Sequence, residues 1–97
     1  MYRLKYLPSF DVDLIEAEAY LFEYSPAAVD KLTAAIIEKT AALTSHPFMY
    51  PVSKYDKNLR SIVLPYKYLL FYRVNETAQV IEIYRVLHGM RDIPNTL

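Results

Sequence analysis

The 97-residue sequence has no cysteine, one glycine and a formal net charge of zero at neutral pH. Without cysteine there is no disulfide, no thiolate metal site and no thiol nucleophile. No apolar run is long enough for a signal peptide, and none approaches a membrane span, so a soluble cytoplasmic protein is expected. Internal repeats and low-complexity segments are also missing. What is abundant is apolar surface: 54% of the residues are hydrophobic, enough for one domain over residues 1–97 to build a core without staples.

The charge is balanced but unevenly spread. Residues 1–50 carry four basic side chains (Arg3, Lys5, Lys31, Lys39) against seven acids, a balance of −3. Residues 51–97 carry seven (Lys54, Lys57, Arg60, Lys67, Arg73, Arg85, Arg91) against four acids, a balance of +3. An anionic partner is expected to meet the C-terminal half. The lone glycine, Gly89, lies in VLHGMRD between His88 and Arg91. There it is expected to let the backbone turn sharply at the end of a strand.

RLKYL, residues 3–7, alternates polar and apolar residues as a short half-buried strand does, and Pro8 ends it. From Asp11 to Tyr24, Val12, Ile15, Ala19 and Phe22 recur at helical spacing and form the expected buried stripe, with Ser9 or Asp11 as the cap. Ser25-Pro26 restarts the chain as N-cap and first helical residue. The second helix runs to about Thr44 with Val29, Leu32, Ile36 and Leu43 buried. One residue between helices implies a tight helical hairpin. Residues 45–58 hold two prolines and read as a loop.

Three β-rich runs follow: Leu59–Leu64, Tyr66–Asn75 and Gln79–Leu87. The last two are joined by the polar Asn75-Glu76-Thr77 turn. Alternation sets Tyr68, Leu70, Tyr72 and Val74 against Lys67, Leu69, Phe71 and Arg73. It likewise sets Ile81, Ile83, Arg85 and Leu87 against Val80, Glu82, Tyr84 and Val86. Neither face is cleanly polar, so helices are expected on one side of the sheet and a partner on the other. The order β-α-α-β-β-β gives an α+β domain with an antiparallel sheet and a helical hairpin packed on one face. Ten tyrosines suit a molecule that meets partners, because tyrosine joins an apolar body to a polar tip.

SPAAVDKL after an acidic first helix, the HPFMYP loop, LRSIVLPYKYLLFYRV and VLHGMRD stand in an order that resembles the RelE/ParE superfamily. These are toxins of bacterial type II toxin–antitoxin modules, also known as plasmid stabilisation proteins. The resemblance runs from Tyr2 to about Pro94. It implies the same fold, no cofactor, and a growth inhibitor neutralised by a cognate antitoxin that wraps it with an extended or helical segment.

The superfamily has two branches. RelE-like members cut mRNA on the ribosome without a metal, which requires a base, an acid and cations around the phosphoryl transition state. By that resemblance the catalytic set would be Arg60, Lys67, Arg85, His88 and Arg91, converging near one end of the sheet. ParE-like members poison DNA gyrase instead. Leu69 stands where RelE-like sequences often have arginine, no tyrosine follows Tyr84, and zero net charge is unusual for a protein that docks in ribosomal RNA. The HGMRD ending resembles ParE-like members. The sequence therefore leans to the gyrase branch, with the ribonuclease as one alternative and a non-toxic interaction module as another.

Overall fold

The computed structural model describes all residues, Met1 to Leu97. The elements are β1 (Arg3–Tyr6), α1 (Pro8–Tyr24), α2 (Pro26–Leu43), β2 (Arg60–Val63), a 3-10 turn (Pro65–Lys67), β3 (Tyr68–Asn75), β4 (Val80–His88) and a short helical turn, α3 (Ile93–Thr96). The α+β class and the element order match the sequence reading.

The sheet order is β1-β4-β3-β2. β2–β3 and β3–β4 are antiparallel, but β1 pairs with β4 in parallel, Tyr6 opposite Ile83. The expected all-antiparallel sheet is thus a mixed one. The cause lies in the connection: the hairpin of α1 and α2 crosses one face, so the chain returns through β2 and β3 before β4 lies beside β1, pointing the same way.

Prolines start both long helices. Pro8 and Pro26 occupy the first helical turn, where a missing N–H costs nothing. Neither helix has a side-chain cap. Ser9, an expected cap, sends its hydroxyl to the Tyr84 carbonyl at 2.7 Å. The expected buried stripe of α1 is on the wrong side: Val12, Ile15 and Phe22 are 57%, 67% and 63% exposed. Phe10, Asp13, Ala17 and Leu21 are buried instead. In α2 the expectation holds for Leu32, Ile36 and Leu43, buried beside Ala28 and Thr40, while Val29 is only half-buried at the core's margin.

The main core lies between the hairpin and one sheet face, joining Phe10, Leu21, Leu32 and Ile36 to Leu70, Tyr72, Ile81 and Ile83. The opposite face is covered by the chain itself. Leu59, Phe71, Leu87 and Ile93 cluster there, with Tyr55, Leu69, Tyr84 and Leu97 packed around them. The 45–58 loop and α3 therefore occupy the place expected for a partner. A bulge in β4 explains why simple alternation fails there. Phe71 pairs with Arg85 but Tyr72 pairs with Ile83, leaving Tyr84 as the extra residue. Beyond it, Val86 joins the main core and Leu87 the second cluster.

Candidate functional site

Where β1 ends, α1 takes over the free edge of β4. The Leu7 N–H donates to the Ile83 carbonyl at 3.0 Å, and the Ser9 hydroxyl to Tyr84. The Val86 N–H donates to the Asp13 carboxylate at 3.1 Å. That carboxylate also accepts two bonds from Arg85, Nε to Oδ2 at 2.6 Å and Nη2 to Oδ1 at 2.9 Å. The third guanidinium nitrogen, Nη1, donates to the Thr96 carbonyl at 2.9 Å. The Asp13 hydrogen bonds hold the Arg85 guanidinium above its ordinary pKa, against an opposing effect of burial. It is a permanent cation fully engaged within the fold.

Beside this pair lies an open groove of about 440 Å³. α1 supplies Asp13, Glu16, Ala17 and Tyr20, β3 supplies Tyr68, and the end of β4 with the following turn supplies Val86, His88, Met90 and Arg91. Tyr68 opposes His88 across the ladder, and their rings meet edge to face at 5.1 Å. The Met90 N–H donates to His88 Nδ1 at 3.2 Å, which puts the proton of the neutral imidazole on Nε2. Tyr68 is only 5% exposed, yet no buried side-chain oxygen of the chain lacks a partner, so its hydroxyl, which bonds to no other residue, opens to the groove. Burial, and next the neighbouring Tyr20, push Tyr68 above the ordinary tyrosine pKa, while Arg91 opposes them. Both effects favour the neutral phenol, which can donate a hydrogen bond. Arg91 approaches Glu16 only to 3.6 Å, with both side chains about half exposed, so its charge remains available.

The five residues expected to converge do not all meet. His88 and Arg91 share the groove. Arg85 is locked behind it by Asp13. Lys67 sits exposed on the 3-10 turn, outside the lining. Arg60 pairs with Tyr72, four positions along β3 from Tyr68, roughly 13 Å away. Its guanidinium donates to the Tyr50 carbonyl at 2.6 Å and lies over the Phe48 ring. Nor does Arg91 pair with Asp92, which accepts from Asn95 Nδ2 at 2.6 Å. The sequence reading missed Asp13, Glu16, Tyr20 and Tyr68 as groove residues. Asp13 had one available signal: a lone carboxylate in register with Phe10, Ala17 and Leu21 on a helix face.

Gly89 answers a different need from the one expected. Its φ is not positive; the left-handed residues are Tyr66 (62°), Lys67 (64°) and Gln79 (54°). The Gly89 N–H donates to the Lys67 carbonyl at 2.6 Å, and a Cβ at Gly89 would stand 3.0 Å from that same oxygen. Close backbone approach favours the glycine.

The model of the ParE toxin of type II toxin–antitoxin systems matches residues 4–93. The chain belongs to the ParE toxin family. Its membership implies a cognate antitoxin as partner. The fold is also that of a solved structure described as a chromosomal ParDE toxin–antitoxin system from P. aeruginosa, at 21% identity and a TM-score of 0.71. The match covers 91% of this chain and 96% of the other. Among curated proteins, none matches the sequence. No helix of this ParE-family chain is long and apolar enough to cross a membrane.

Proposed function

We propose that this ParE-family toxin arrests growth in the bacterial cytoplasm by acting on DNA gyrase, and that its antitoxin neutralises it there. The observation that carries the choice of target is the engagement of Arg85. A metal-free ribonuclease needs several unpaired cations around one scissile phosphate. Here Arg85 is held by Asp13 and Thr96, Arg60 is spent on loop carbonyls, and Arg91 is the one cation lining the groove with His88, Lys67 standing on the adjoining turn outside that lining. Leu69, at the position where RelE-like sequences often have arginine, packs against the second apolar cluster. The cations left unpaired by carboxylates on the C-terminal half, Lys54, Lys57, Lys67 and the carbonyl-bound Arg60, favour an acidic antitoxin segment, whose binding weakens with salt.

The test is induced expression without antitoxin, followed in parallel by trapping of gyrase–DNA cleavage complexes and mapping of mRNA ends on ribosomes. Accumulated cleavage complexes with intact mRNA are expected. Ribosome-dependent mRNA cuts without gyrase complexes would reverse the assignment.

A further inference from the structure

We propose that the outer face of α1 docks a second protein through an amphipathic helix flanked by lysine or arginine. α1 is apolar on two opposite sides. The inner side carries Phe10, Ala17 and Leu21 into the core. The outer side presents Val12, Ile15, Ala19 and Phe22 to solvent, three of them more than half exposed. Their spacing of three, four and three residues is the seam spacing of a coiled coil. Over this span of about 15 Å, nothing in the chain covers the seam.

The residues beside the seam define the partner. In the heptad set by Val12, Ile15, Ala19 and Phe22, the flanking positions fall on Asp11, Glu16, Glu18 and Glu23. All four are acidic, and no basic residue occurs anywhere on α1. One meets a cation of the chain, Glu16 near Arg91 at 3.6 Å, and Glu18 accepts only a hydroxyl, from Thr33 at 3.4 Å. Two copies of α1 packed seam to seam would set acid against acid, whether parallel or antiparallel, so a second copy is repelled. An aliphatic seam with basic flanks satisfies both the apolar stripe and the four carboxylates. This partner is opposite in charge to the acidic segment proposed for the lysines, and its site does not depend on the identity of the toxin's target.

The experiment titrates the full chain with a helix-forming peptide of about three heptads, leucine in the seam and lysine at the flanks. One control peptide has glutamate flanks; another has the lysine peptide's composition in shuffled order. The lysine-flanked peptide is expected to bind roughly tenfold or more tightly than either control. Ile15→Gln with Phe22→Gln should weaken it by a similar factor, with the melting temperature unchanged. Asp11→Lys with Glu23→Lys, which leaves the seam intact, should move the preference toward the glutamate-flanked peptide. Equal binding of the shuffled peptide, or binding indifferent to both pairs of substitutions, would overturn the proposal. So would a concentration-dependent dimer of the parent chain that Ile15→Gln with Phe22→Gln abolishes, which would assign the face to self-association.

Discussion

Asp13 and Arg85, 72 positions apart in sequence, form a two-point ion pair in which the carboxylate also caps the Val86 N–H. The pair fastens α1 to β4 beyond the point where β1 can do so. Its carboxylate is 95% buried, so the desolvation cost of both charges is balanced only while both are present.

Removing one partner is therefore worse than lacking the pair. Asp13→Ala leaves a part-buried guanidinium and the Val86 N–H without an acceptor, and should cost about 3–5 kcal/mol in urea unfolding. Asp13→Asn keeps an acceptor oxygen and should cost less. A loss below about 1 kcal/mol for Asp13→Ala would mean that the pair is solvated.

The turn that brings β3 beside the end of β4 gives a paired expectation. Gly89→Ala places a Cβ 3.0 Å from the Lys67 backbone carbonyl, and should destabilise by about 1–3 kcal/mol. Lys67 holds a left-handed φ of 64°, which costs a side-chain-bearing residue on the order of 1 kcal/mol. Lys67→Gly should thus be neutral or slightly stabilising. Paired denaturation curves decide: if both substitutions destabilise equally, close approach is not what selects glycine at position 89.

The buried stripe of α2 and the exposed stripe of α1 make opposite predictions from similar residues. Ile36→Asp should unfold the domain, because a buried, unpaired carboxylate costs several kcal/mol, a large share of a small domain's stability. Ile15→Asp on the exposed stripe should change stability by no more than about 0.5 kcal/mol. Thermal melts of the two variants separate them directly.

Which of these features the sequence could disclose follows from how local their causes are. α2 has one apolar stripe, and its spacing alone located Leu32, Ile36 and Leu43. α1 has two, and the larger side chains lie on the outer one. Choosing the inner face requires knowing that Asp13 is neutralised by Arg85, a contact between distant segments. The β-rich runs were visible from their Val, Ile, Leu and Tyr content. The bulge at Tyr84 and the parallel pairing of β1 arise from tertiary geometry and leave no local mark. The candidate site divides in the same way: His88 and Arg91 belong to the groove their shared segment suggested, whereas Arg60 and Arg85 are drawn away by partners remote in sequence.

Alkaline pH should weaken the fold through its buried tyrosines. Burial raises the pKa of both Tyr68 and Tyr72 above the unfolded value of about 10. Each raised group contributes stability that is complete below the unfolded value and is lost as pH rises through the folded one. Unfolding free energy should be flat near neutrality and fall from about pH 10. Tyr68→Phe removes a hydroxyl with no partner in the chain, so it should be nearly silent at pH 7 and make the alkaline fall shallower. Tyr72→Phe also deprives the Pro47 carbonyl of a donor at 2.9 Å, and should cost about 1 kcal/mol at pH 7.

The groove's own chemistry is tested at His88. If His88 moved a proton in phosphoryl transfer, losing it would lower the rate roughly 10²–10⁴-fold, and toxicity would vanish with it. Glutamine retains an acceptor for the Met90 N–H that now meets Nδ1 but cannot titrate. With Arg85 bound to Asp13 and Arg60 remote, the groove offers the imidazole a single cation, Arg91. His88→Gln is therefore expected to leave growth arrest largely intact, with gyrase–DNA cleavage complexes at the parent level and ribosome-bound mRNA uncut. Codon-specific mRNA cuts by the parent that disappear in His88→Gln would make the groove a nuclease centre, with Tyr68 and Arg91 as the next residues to replace.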